Sequence, residues 1–140
     1  EDNVIKLKSL KVFAGTGEPQ KAVMKLEVMG EVKEATESGD GPVDAIFKCI
    51  KKLYPHEVNL QLYNVHAVTE GTDAQATVSI RIEENGKTTV GQAANTDTLV
   101  ASADAYLNAL NKLIIKRKKT APEPMDLSGS KYIREKDGTI

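Results

Sequence analysis

The sequence predicts an α+β fold built from two pseudo-symmetric βββα units, and three observations predict it. The first is an internal repeat: residues 17–28 align with residues 71–82 at an offset of 54, setting Met24, Leu26 and Val28 against Val78, Ile80 and Ile82. After a two-residue insertion the offset becomes 56, pairing Gly30 with Gly86, Val43 with Leu99, Ala45 with Ala101 and Ile50 with Tyr106. The second is period-2 alternation, as in Ala76, Val78, Ile80 and Ile82 against Thr77, Ser79, Arg81 and Glu83, the pattern of a strand buried on one face. The third is a stretch in each half whose apolar residues recur every three or four positions, the spacing of a helix with one buried face.

In the first unit, residues 4–57, a leading strand is predicted over 7–14, followed by the alternating segment and a turn at Met29-Gly30. Val43, Ile46, Phe47, Ile50 and Leu53 then form a helical stripe while Lys48, Lys51 and Lys52 fall elsewhere. Pro42 suits the first turn of that helix, where its missing N–H is not needed, and Pro55 marks its end. The second unit, residues 58–116, repeats the order with a leading strand over Asn59–Val68 and a type I′ hairpin signal at Asn85-Gly86. A third strand over 87–94 leads to a helix over 98–116, striped by Leu99, Ala103, Tyr106, Leu107, Leu110 and Ile114. Asn95, Thr96 and Asp97 ahead of it are all competent capping residues. Residues 117–140 read as a flexible, polar tail that opens on a basic helix terminus.

One helix covers only part of a three-stranded sheet, so two units must pack together to enclose a core. The same reasoning predicts pairing between chains, with a symmetric dimer as the simplest outcome. The 140 residues hold one ordinary domain. With no Trp, two Phe and four Tyr, its core is aliphatic. Nineteen Lys plus Arg against twenty Asp plus Glu leave a net charge of −1, which lacks the footprint of a nucleic-acid binder. No apolar run approaches the length of a membrane span. A lone Cys49 excludes an intrachain disulfide, and Glu1-Asp2-Asn3 resembles no leader peptide, so a cytoplasmic setting is expected. From the missing initial Met, a piece of something longer is expected.

Enzyme chemistry finds little purchase. His56 and His66 stand in no metal-ligand spacing, so no metal site is expected. Cys49, between Phe47 and Ile50 on a short helix, reads as a packed thiol. His66 reads as a hydrogen-bonded structural residue, and Gly15-Thr16-Gly17 as a turn without the third glycine of a dinucleotide loop. No pair of carboxylates is placed for acid–base work, so no catalytic residue is expected. What remains is Gly39-Asp40-Gly41-Pro42-Val43-Asp44, a strand-to-helix junction whose free first-turn amides are suited to a carboxylate, unless it is only a turn with a helix start. Its counterpart is Asn95-Thr96-Asp97-Thr98.

Residues 39–45, 63–76, 96–103 and 106–111, in this order and spacing, closely resemble the C-terminal regulatory domain of 2-isopropylmalate synthases, over about residues 5–116. The resemblance implies an allosteric domain of two βββα units that dimerises and binds L-leucine at the dimer interface, for feedback inhibition of leucine biosynthesis. It implies a separate catalytic TIM barrel in the parent chain, holding a divalent metal and condensing acetyl-CoA with 2-oxoisovalerate. This fragment would be non-catalytic and carry no cofactor of its own.

By position, the family's effector contacts fall on Gly39, Gly41, Val43 and Asp44 in the first junction, on Leu60, Tyr63, Ala67 and Ala74 along the next strand and turn, and on Ala94 and Thr96 in the second junction. Val43, Leu60, Ala67 and Ala94 would line an isobutyl pocket while helix-start backbone groups hold the charged ends. Asp40 stands where family members often have Asn. Leu60 and Tyr63 differ by three, so a regular strand would send them to opposite faces, and the resemblance requires a bulge or a pocket at the strand end. The alternatives are an isoleucine-sensing domain of the citramalate synthase type, which shares the fold, and a purely structural dimerisation module.

Overall fold

The structure is a computed structural model that describes residues 4–68 and 74–120. The tail beyond residue 120 and the 69–73 part of the resemblance lie outside the described residues. The element order is β1 (Ile5–Phe13), β2 (Gln20–Val28), β3 (Glu31–Gly39), α1 (Pro42–Leu53), β4 (Asn59–Val68), β5 (Gln75–Glu84), β6 (Lys87–Asn95) and α2 (Thr98–Thr120). The strands form two separate antiparallel sheets, ordered β1-β2-β3 and β4-β5-β6, so each unit is βββα as the repeat predicts. Helix α2 runs four residues past its predicted end and takes in the basic run 116–119.

Both second hairpins close through two left-handed residues, Met29 and Gly30 at φ 50° and 86°, and Asn85 and Gly86 at φ 52° and 82°. These are the angles of a type I′ turn, whose twist matches that of the flanking strands. Because the two turns coincide at an offset of 56, they correct the repeat alignment. Val28 pairs with Glu31 and Glu84 with Lys87, so Ala22, Met24 and Leu26 correspond to Val78, Ile80 and Ile82 throughout. The insertion lies between the first and second strands instead: Leu7 faces Leu26 as Leu60 faces Ile82, an offset of 53 on the leading strand. A slip of two residues leaves a period-2 pattern unchanged, so hydrophobicity alone does not fix it.

The central strands supply the core, with Ala22, Met24, Leu26 and Val28 buried on β2 and Ala76, Val78, Ile80 and Ile82 on β5. Helix α1 packs on β2 and β3, while α2 packs on β5 and β6 and also touches β1 and α1. Each large aliphatic side chain so buried contributes about 1.5–3 kcal/mol. Gly91 brings α2 close to β6, since a Cβ there would lie 2.1 Å from the Ala105 carbonyl oxygen. Buried polar groups are paired: Thr89 donates to the Ala109 carbonyl at 2.9 Å, and His56 Nε2 meets the Tyr106 hydroxyl at 2.9 Å.

The two edges of the second sheet differ. Along β6, Asn108, Lys112 and Lys116 of α2 donate to the carbonyls of Gln92, Val90 and Thr88 at 2.7–2.8 Å, which occupies alternate acceptors of that outermost strand. Along β4 the helices are reached chiefly through Tyr63, and Leu60 and Val65 there remain 46% and 41% exposed.

Candidate functional site

The first junction is built by a strand that ends in glycine and a helix that starts on proline. Gly41 is the N-cap of α1, in extended conformation, and offers no side-chain acceptor. The first intrahelical donor is Ala45, bonded to the Gly41 carbonyl at 3.0 Å. The amides of Val43 and Asp44, ahead of it, therefore have no acceptor among the described residues, the usual condition of an uncapped first turn. Asp44 turns its carboxylate back, accepting from the Asp40 amide at 2.9 Å and pairing with Lys48 at 3.2 Å. That backbone hydrogen bond, with Lys48 adding to it against a small burial effect, holds the Asp44 carboxyl below the usual carboxylate range.

The two glycines of this junction differ in what surrounds them. A Cβ on Gly39 would lie 2.5 Å from the Ala45 nitrogen, so the helix start sits directly on the strand end. A Cβ on Gly41 would meet nothing within 4 Å.

The second junction is not equivalent to the first. Asp97 accepts from the Leu99 and Val100 amides at 2.9 and 3.4 Å, and Asn95 accepts from the Asp97 amide at 2.8 Å. The Leu99 and Val100 amides of α2 are thus satisfied internally, because Asp97 supplies the acceptor that Gly41 lacks. The expectation of two junctions alike in free amides is corrected to one.

Strand β4 contributes an apolar face, and a bulge arranges it. The ladder with β5 skips Gln61, so Leu60 stands opposite Ile82, Leu62 opposite Arg81 and Tyr63 opposite Ile80. Leu60 and Tyr63 consequently share the core face, as the resemblance requires. Tyr63 reaches both helices: its ring meets Phe47 of α1 edge-on at 6.1 Å, and its hydroxyl lies 2.7 Å from Ser102 Oγ of α2.

The ten expected effector positions fall into three groups within one chain. Gly39, Gly41, Val43 and Asp44 surround the start of α1. Leu60 and Tyr63 lie toward the bulged end of β4. Ala67, Ala74, Ala94 and Thr96 gather at the far end of the second sheet, where Ala67 pairs with Ala76 and Ala76 with Asn95. Leu60 and Ala67 face β5 residues six positions apart, about 20 Å at strand spacing. Ala94 stands opposite Thr77 and so points to the face away from Ala67. Concavities of about 340 to 370 Å³ open elsewhere, for example beside Phe13 and Pro19 or beside Val90 and Lys112, and none of these is lined by the ten.

The residues weighed for catalysis have structural surroundings. Cys49 is buried, its thiol donating to the Ala22 carbonyl at 3.4 Å, and desolvation pushes it up to about 11. His66 lies exposed and accepts from Asn64 at 3.0 Å. The residues that sequence reasoning passed over are Ser102 and Asn111. Asn111 is 4% exposed, accepts from the Val4 and Ile5 amides at 2.8 and 2.9 Å, and donates to the Ile5 and Leu107 carbonyls. The signal for it was an amide next to Leu107, Leu110 and Ile114 on the apolar stripe.

The family described as the LeuA allosteric (dimerisation) domain matches residues 1–114. The chain is 60% identical over 115 residues to a 2-isopropylmalate synthase of Bradyrhizobium diazoefficiens, covering 82% of this chain and 22% of that protein. It is 61% identical over 115 residues to the 2-isopropylmalate synthase of Bradyrhizobium sp. strain BTAi1, with the same coverage. It is 57% identical over 118 residues to that of Nitrobacter winogradskyi, covering 84% of this chain and 23% of the relative. The chain thus spans less than a quarter of the length of these relatives. With the βββα repeat, the uncapped helix start and a family match over most of its length, the chain belongs to the LeuA allosteric (dimerisation) domain family.

Proposed function

We propose that this chain is the regulatory domain of a 2-isopropylmalate synthase, binding L-leucine as a feedback inhibitor at the interface of a homodimer. The observation that carries this reading is the first turn of α1, where two amides lack acceptors among the described residues, beside an unobstructed Gly41. A zwitterion suits that place: its carboxylate accepts from the Val43 and Asp44 amides, and its ammonium is balanced by the ionised Asp44 carboxylate. Within one chain Leu60 and Ala67 lie apart along β4 and Ala94 points to the other face, so with Val43 they do not close one pocket, and the isobutyl group is enclosed only when a second copy approaches. The half-exposed β4 face, with Leu60 and Val65, is the surface we assign to that copy, since the β6 edge is occupied by α2 side chains. In this reading the parent enzyme is cytoplasmic and its catalytic barrel, with its divalent metal and acetyl-CoA chemistry, precedes this domain.

Titration calorimetry of the purified protein with leucine, isoleucine and valine tests the reading. Leucine is expected to bind at least about tenfold more tightly than either competitor, the size of effect one methyl placement produces in an apolar pocket. A preference for isoleucine would move the domain to the citramalate synthase type. No heat with any of the three would leave a structural dimerisation module.

A further inference from the structure

Helix α2 carries two polar handles on different parts of the molecule. Ser102, fully buried, donates its proton to the Thr98 carbonyl at 2.9 Å, so in the 2.7 Å contact with Tyr63 the tyrosine hydroxyl is the donor. That bond ties the helix to the effector-facing strand β4. Nine residues further, about 14 Å along the axis, Asn111 grips the first residues of β1 through both amides and the Ile5 carbonyl. Val4 is held from its other side as well, its carbonyl accepting from the Met29 amide at 2.9 Å. Nothing else on α2 reaches the start of β1 with comparable hydrogen bonding among the described residues.

Because a buried amide with four satisfied bonds cannot move without its partners, a shift of α2 displaces Val4 and Ile5 with it. We propose that α2 is the element that carries effector occupancy from the Tyr63 face to the beginning of this domain, with Ser102 and Asn111 as its positioning residues. This rests on the regulatory reading above. It assigns the output of the sensor to the point where the domain would join its catalytic partner.

The test uses the full-length enzyme that carries this domain, with Ser102→Ala, Asn111→Ala and Asn111→Asp. Three quantities are measured: turnover without leucine, leucine binding by calorimetry, and inhibition by leucine. The expected result is turnover and binding within about twofold of wild type, with most of the inhibition at saturating leucine lost. Inhibition to the wild-type extent at saturating leucine in Ser102→Ala and in whichever Asn111 variant folds would overturn the proposal. So would loss of binding in step with loss of inhibition, which assigns these residues to the fold of the site. Should both Asn111 variants fail to fold, Ser102→Ala decides alone, since the change removes one oxygen from a small side chain. A wild-type enzyme that neither binds leucine nor is inhibited by it would instead overturn the regulatory reading, and the relay with it.

Discussion

Leu60 and Tyr63 stand three residues apart on β4 and face the same side of the sheet, opposite Ile82 and Ile80. The bulge at Gln61 produces this, and its repeat-related counterpart at Lys8 puts Leu7 and Leu10 on one face of β1. Deleting Gln61 would leave Leu60, Leu62 and Tyr63 against the same partners in a regular ladder. Stability in urea unfolding is therefore expected to change by no more than about 1 kcal/mol. Deleting Asn64 would instead put Leu62 in place of Tyr63 and send the tyrosine away from Phe47 and Ser102. A loss of about 2–4 kcal/mol is expected there, and equal effects of the two deletions would contradict the register.

Gly91 of β6 and the two glycines of the first junction separate packing from binding. At Gly91 a methyl would overlap the α2 backbone, with contacts of 2.1 and 2.4 Å to Ala105 and Ala109. Gly91→Ala is expected to cost at least about 3 kcal/mol in chemical denaturation. Gly39→Ala, meeting Ala45 and Asp44 at 2.5 and 2.6 Å, is expected to cost about 1–3 kcal/mol. Gly41→Ala enters open space from an extended backbone and is expected to cost no more than about 1 kcal/mol, the preference for Gly over Ala at an N-cap. Gly41→Asp is thus the informative binding variant, expected to keep the fold and to abolish leucine binding by setting a carboxylate over the free amides. Retained binding would place the ligand elsewhere.

Buried His56 predicts a pH dependence of stability. Its Nδ1 faces the Tyr54 carbonyl at 2.6 Å and so carries the proton, leaving Nε2 to accept from the Tyr106 hydroxyl. Burial holds its pKa below the ordinary 6.5, outweighing the hydrogen bond to Tyr54 that favours protonation. The unfolded chain therefore binds the proton first, and stability falls as pH drops below about 6.5 toward the lower folded value. Thermal melts across pH 7.5 to about 5 should show that fall in the wild-type protein and a flatter profile in His56→Gln. Parallel profiles would assign the slope to other groups. Asp44, whose folded pKa is also lowered, contributes in a separate window: its stabilisation is present above the ordinary 3.8 and is lost as pH falls below it.

Much of this architecture was legible in the residues. The alternation on β2 and β5, the stripe on α1, Pro42 and Asn85-Gly86 each fixed an element locally. Met29 at positive φ was harder to read, since an exposed methionine there pays a steric cost of roughly 1–2 kcal/mol that Asn or Gly largely avoids. The phase of the repeat was not legible, because strands slipped by two residues look alike until the turn is placed. The asymmetry between the two helix starts depended on one acceptor: Asp97 was visible as a capping residue, but only geometry shows that it satisfies the amides. Asn111 escaped attention because its partners lie 106 and 107 positions away. The separation of Leu60 from Ala67 along β4, and of Ala94 from Ala67 by face, likewise came from pairing between strands.

The claim at the centre of this account concerns two backbone groups, and amide-resolved NMR observes them directly. Titrating leucine into the labelled protein should move the Val43 and Asp44 N–H resonances most among helix-start amides, with Leu99 and Val100, already bonded to Asp97, shifting far less. Unmoved Val43 and Asp44 amides at a leucine concentration that saturates binding would contradict it.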